Sequence, residues 1–278
     1  MANTGVSDVA STIEKVVSAL TTRTLIQESI ALNVPAVWDR SGEVREGMDR
    51  LDMIELAELA IQDVDETGAN MTPQTINPNA ALLSLNRHKS IPFSLTKRGD
   101  LQSKLALVQR TVENGIRTLV AEVDDAIFAE AVAAAATTET IAGADALAEV
   151  LACKQQFDFD NVPMVDRALI VSPAYAARLL GTNNIIKANE FGSASPIQAA
   201  RITNLYGFEV YQSSSASLPD DGFVAMGAEA LAFARQRQVQ FESQVQVLGQ
   251  RTDYTVTHLY GVKSSAASNP RIYVFNPA

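Results

Sequence analysis

From Leu101 to Ala136 the chain runs for 36 residues with no proline and with Gly115 as its one glycine. Leu101, Leu105, Val108, Val112, Ile116, Leu119, Val123 and Ile127 recur there at intervals of three or four, the period of one helical face. A helix of this extent measures about 54 Å at about 1.5 Å per residue. Propensity alone would leave its apolar stripe wet, so a sheet or a second subunit has to lie along it. Gly99 and Asp100 precede the run, and Asp100 is the predicted N-cap.

The rest of the chain has the material to supply that cover. Its 278 residues are 47% hydrophobic and 19% charged, enough for one large domain or two small ones. A net charge of -10 is the wrong sign for a protein whose main task is to grip nucleic acid. Cys153 is the sole cysteine, so no intrachain disulfide forms, and it reads as a small buried apolar residue. No uncharged apolar stretch approaches the ~18 residues of a membrane span, and the N-terminus lacks a basic start followed by an apolar run. The chain therefore reads as soluble and made in the cytoplasm.

Charge is unevenly spread: net -8 over residues 1–70, +3 over 71–100, -5 over 101–150 and zero over 151–278. A basic segment between acidic ones suits pairing with another copy of the same chain. Arg87, His88, Lys89, Lys97 and Arg98 make up that basic segment and are the predicted inter-subunit contacts.

Helical patterns are predicted over Asp8–Ser29 and Met48–Ala60, with a turn-rich stretch Val34–Gly47 between them and another from Thr67 to Pro78. Leu82–Leu85 and Ile91–Leu95 alternate around the polar tip Asn86–Lys89 and predict an exposed β-hairpin, with Pro92 tolerated on an edge strand. Ala168–Val171 reads as an apolar strand, Ser172 as a cap, Ala174–Leu180 as a helix stopped by Gly181, followed by a polar loop to about Ala199. Beyond it the pattern predicts two strands around Tyr206–Gly207, turn over Ser213–Gly222, strand over Phe223–Met226 and helix over Ala228–Arg235. Val239–Leu248, Tyr254–Val262 and Ile272–Phe275 read as strands of one antiparallel sheet.

Catalytic patterns are nearly absent. His88 and His258 are the only histidines, and neither has a second His or a Cys at ligand spacing. No glycine-rich phosphate loop occurs, and Ser94–Lys97 matches S-x-x-K on a predicted strand, without its partner motifs. Asp124 and Asp125 point about 100° apart on a helix and make poor joint ligands. Arg235 and Arg237 flank the last predicted helix and are suited to phosphate or to an acidic neighbour, the second being favoured in so acidic a chain. These absences imply a non-enzyme with no cofactor and no metal.

The order of these parts, with Arg167–Leu180, Leu205–Tyr211 followed by Ser213–Pro219, and Leu259–Lys263, resembles the major capsid proteins of tailed bacteriophages. That resemblance implies an α+β Hong Kong 97-like fold with an N-terminal arm over 1–70 and an extended β-hairpin loop over 71–100. A spine helix would span 101–143, an axial domain 144–236, and strands completing a peripheral domain 237–278. It also implies hexamers and pentamers forming an icosahedral head around double-stranded DNA held without sequence-specific contacts. A scaffolding protein and a portal are the further partners, no membrane is involved, and the chain would reside in the virion after synthesis in the host cytoplasm. An encapsulin-type compartment and an unrecognised enzyme are the alternatives.

Overall fold

The computed structural model describes residues 28–45, 47–56, 78–102, 107–139, 145–181, 204–264 and 269–276. The predicted helix before Glu28, the turn-rich stretch before Pro78 and the polar loop after Gly181 lie outside them. In chain order the strands and helices begin with β1 (Val37–Asp39), β2 (Arg50–Leu56), β3 (Pro78–Ser84), β4 (Arg87–Thr96), α1 (Lys97–Gln102) and the long helix α2 (Leu107–Ala134). Next come β5 (Ala135–Glu139), α3 (Ala146–Phe159), β6 (Ala168–Val171), α4 (Pro173–Leu180), β7 (Asn204–Leu205) and β8 (Phe208–Gln212). The series ends with β9 (Phe223–Met226), β10 (Leu231–Arg235), β11 (Gln240–Gln246), β12 (Arg251–Ser264) and β13 (Asn269–Phe275).

The stripe on α2 is covered by two sheets in succession. Val112, Ile116, Leu119 and Val120 pack on Val239, Phe241 and Val256 of the first sheet, ordered β1-β10-β12-β11 with β4 on the other side of β12. One turn further on, Val123, Ala126, Ile127, Phe128 and Ala131 meet both that sheet, at Phe233 and Tyr260, and the second sheet, at Ile170, Val224 and Val274. The second sheet runs β5-β13-β9-β6-β8-β7. Its opposite face carries Leu169, Val171, Phe223, Tyr273 and Phe275 against α3 and α4. Layers on both sides explain why β6 and β9 are unbroken apolar runs: alternate residues serve different cores.

The strand–cap–helix unit at Ala168–Leu180 forms as predicted, with Ser172 Oγ accepting from the Tyr175 N–H at 3.2 Å. Tyr206 and Gly207 both take positive φ, 49° and 89°, the two-residue turn that joins twisted strands. Cys153 is a free, buried thiol.

Five expectations are corrected. Met48–Ala60 contributes a strand instead of a helix: Leu51 and Met53 are buried while Asp52 is exposed, a period of two, and β2 pairs antiparallel with β3 from Arg50↔Ser84 to Leu56↔Pro78. The hairpin of β3 with β4 therefore does not exist, because β4 pairs along its whole length with β12. The helical cap is Thr96, whose Oγ1 accepts from the Gly99 N–H at 3.2 Å, so Asp100 lies inside α1. Ala228–Arg235 ends in the strand β10, where Leu231 and Phe233 face α2 while Ala232 and Ala234 face the β2–β3 ribbon. Finally, β13 leaves β11 and β12 for the second sheet, antiparallel to β9 and parallel to β5. The helix α3, capped by Asp145, and the strands β1 and β5 were not anticipated.

Glycine is required where the ribbon crosses the first sheet, since a Cβ on Gly261 would overlap the carbonyl of Ser84. Gly261→Ala should cost about 1–3 kcal/mol, the usual penalty of overpacking, read as a lowered denaturation midpoint. An unchanged midpoint would show that the ribbon does not seat there. Leu119→Asp, at a site 2% exposed, should cost several kcal/mol, on the order of the penalty for an unpaired buried charge. Soluble, cooperatively unfolding Leu119→Asp protein would contradict the phase of α2.

Candidate assembly surfaces

The five basic candidates do not share a projecting tip. Arg87, His88 and Lys89 open β4 inside the first sheet, opposite Tyr260, Leu259 and His258 of β12. Lys89 reaches across to Glu122 of α2 at 2.5 Å, within the same chain. Lys97 and Arg98 begin α1, where Lys97 donates its backbone N–H to the Gln250 carbonyl at 2.9 Å. His88, Lys97 and Arg98 are exposed, the first near the start of β4 and the other two just past its end.

The residues singled out for chemistry have structural employment. Asp124 is buried and holds the arm: Ser29 Oγ donates to it, as do the N–H groups of Ile30 and Ala31, each at 3.1 Å. Burial outweighs these bonds and holds its carboxyl above the usual carboxylate range. Asp125 accepts instead from Ser215 Oγ, so the adjacent acids serve different elements. Arg235 lies 3.9 Å from Asp39, the acidic neighbour anticipated for it. Among the described residues no group of three His, Cys, Asp or Glu side chains could hold a metal, and no helix is long and apolar enough to cross a membrane.

Two polar clusters were not legible in sequence. Arg178 on α4 pairs with buried Glu149 of α3 at 3.0 Å and with Asp221 at 3.1 Å, and its guanidinium lies over the Tyr175 ring. Burial, then the Glu149 carboxylate, pushes the Tyr175 hydroxyl far up, and that hydroxyl donates to the Ala146 carbonyl at 2.9 Å. Arg167, its side chain 2% exposed, donates to the carbonyls of Val162 and Pro163 and pairs with Asp158 at 2.9 Å. It fixes the loop between α3 and β6 from inside, with Asn161 and Asp166 at φ 53° and 58°.

That loop presents Met164 and Val165 to solvent beside Phe159, each about two-thirds exposed. Val245, Val247 and Leu248 do the same at the β11–β12 turn, and Trp38 is half exposed on β1. Apolar residues held outward on rigid supports mark surfaces for protein contact more than for a small ligand.

Comparison with solved structures shows which known folds this arrangement is similar to. The chain matches a structure of Mycobacterium phage Che8 with TM-score 0.76 and 21% identity, over 90% of this chain and 91% of that one. It matches the capsid of cyanophage P-SCSP1u with TM-score 0.72 and 13% identity, over 90% and 88% of the two chains. A virus-like particle from Pyrococcus furiosus matches with TM-score 0.60 and 12% identity, over 94% and 96%. No protein-family model matches the chain, and no curated protein does. At these identities the likeness establishes the fold, and the expected Hong Kong 97-like architecture holds.

The Arg178 cluster can be tested by double substitution. Arg178→Met should destabilise the chain by about 3 kcal/mol, because Glu149 is left as an unpaired buried charge. Adding Glu149→Gln should recover part of that loss in the denaturation midpoint. Additive losses would show that the two side chains do not depend on each other.

Proposed function

We propose that the chain is the repeating tile of an icosahedral phage head, a major capsid protein whose hexamers and pentamers enclose double-stranded DNA. The observation that carries the proposal is the fold match over nine-tenths of the chain to phage capsid structures. The chemistry agrees with a structural rather than catalytic role: buried polar side chains at the candidate positions brace one element against another. The apolar residues held outward at the β11–β12 turn and after α3 are the kind of surface that repeated copies would cover.

With a net charge of -10, a shell of this chain would surround DNA without gripping it, and its assembly would not need nucleic acid. A scaffolding protein and a portal complete this reading, as does synthesis in the host cytoplasm before residence in the virion. The arm, loop, spine, axial and peripheral divisions belong to the same proposal. Of the five basic residues, His88, Lys97 and Arg98 are the ones available as contacts between copies, since Lys89 is engaged by Glu122. The match to the Pyrococcus virus-like particle, over nearly the whole of both chains, favours an encapsulin-type compartment as the second reading.

Sedimentation and electron microscopy of the expressed chain, with and without candidate scaffold, decide the matter. Closed particles of megadalton mass are the expected result. Compact monomers alone, at high concentration and with scaffold present, would overturn it. Particles isolated from their source should contain duplex DNA, and particles filled with one protein cargo would select the second reading. Lys97→Glu with Arg98→Glu should slow assembly and make it more salt-sensitive without altering the monomer's denaturation midpoint. Unchanged kinetics across a salt series would remove these two residues from the interface.

A further inference from the structure

Beneath the first sheet, four polar atoms are buried together without hydrogen-bond partners: both ring nitrogens of His258, the Tyr260 hydroxyl and Arg235 Nη1. His258 is 1% exposed and Tyr260 is completely buried. The register explains why they gather. His258 and Tyr260, two residues apart, share the β12 face that meets α2, and their rings stack 4.9 Å apart. Lys89 of β4 stands opposite His258, and Tyr260 is flanked by Arg87 of β4 and Arg235 of β10. From α2 come Glu122, engaged by Lys89, and Asp125, engaged by Ser215. Asp39 of β1 lies 3.9 Å from Arg235.

A neutral imidazole can sit dry in this row. An imidazolium needs acceptors for two N–H groups, and neither ring nitrogen has a hydrogen-bond partner here; it also adds a positive charge beside Arg235. Burial, then the Arg235 charge, depress the His258 pKa to about 4. The unfolded value is about 6.5, so the sign follows: stability is complete above pH ~6.5, and is lost as pH falls toward ~4, because only the open form takes up the proton freely. The weakest boundary of the row is β4. It pairs with β12 on one side only among the described strands, and its core-facing residues are only half-buried.

We infer that this row is an acid-sensitive joint: protonation of His258, between Lys89 and Arg235 and without a hydrogen-bond partner, separates β4 and β12 from α2 while the second sheet stays closed. This is a property of one subunit and does not depend on the shell reading.

Hydrogen exchange of the full chain, corrected for the intrinsic pH dependence, tests it at pH 7 and pH 5. Peptides covering β4 and residues 251–260 should lose protection on the order of 30-fold at pH 5, while those covering β6 and β9 hold theirs. His258→Phe, which fills the site without titrating, should keep the protection. An equal loss in His258→Phe overturns the inference, as does a loss in wild type that is absent or uniform across both sheets. Asp124 also titrates on α2, but it holds Ser29–Ala31, so its response falls on arm peptides and is read separately. Should His258→Phe fail to fold, imidazole NMR of the wild type decides. A midpoint below pH 5 for the resonance assigned to His258 is expected, and a midpoint near 6.5 for that resonance in the folded chain overturns the proposal.

Discussion

The stripe on α2 is the constraint from which the other placements follow. A helix of 28 residues cannot bury one face against a single small sheet, and here it is shared. The first sheet takes its early turns and both sheets take its later ones, so the two sheets are held to each other mainly through the same side chains, Val123 to Ala131. Phe233 and Tyr260 from one sheet and Ile170 and Val274 from the other reach that cluster. Substitutions in this stretch therefore act on two layers at once, which distinguishes it from Val112 and Ile116 in the first turns.

Local chemistry was readable and long-range pairing was not. The period of α2, the Ser172 cap and the turn at Tyr206–Gly207 are each settled within a few residues by sterics and hydrogen bonding, and each lies within the stretch the pattern marks, although α2 spans Leu107–Ala134 rather than Leu101–Ala136, with Leu101 in α1 and Ala135 opening β5. The alternation at Leu82–Leu85 and Ile91–Leu95 correctly marked two strands but said nothing of their partners. With Leu51 and Met53 misread as helical, the true partner of β3 was hidden, and a hairpin with the next strand was the nearest substitute. Ala228–Arg235 failed for a different reason. Alanine favours helix in isolation, but Ala232 and Ala234 are small because the ribbon lies on them, and that fact belongs to the tertiary structure.

The basic candidates show the same division between charge and geometry. Their clustering in sequence is real, yet β4 belongs to the first sheet rather than to a projecting hairpin, and alternation sends its side chains to opposite faces. Lys89 turns in toward Glu122 while His88 turns out to solvent. The half-buried pairs beside the second sheet, Arg178 with Glu149 and Arg167 with Asp158, join residues whose spacing carries no signal. Only the packing of α3 against α4 and β6 makes them neighbours.

The position of β13 bears on how the chain becomes folded during synthesis. It lies between β5 and β9, and its contact with β5 is sealed by Tyr273 and Glu139, 134 positions apart. Until β13 has left the ribosome, β5 lacks its partner strand and β9 has one vacant edge, while the apolar surface destined for α3 and α4 is incompletely covered. Contacts of such long sequence separation close slowly. The growing chain thus passes through an interval in which unpaired strand edges are open to edge-to-edge pairing. Aggregation during that interval, as well as the stability of the finished fold, would bear on its yield.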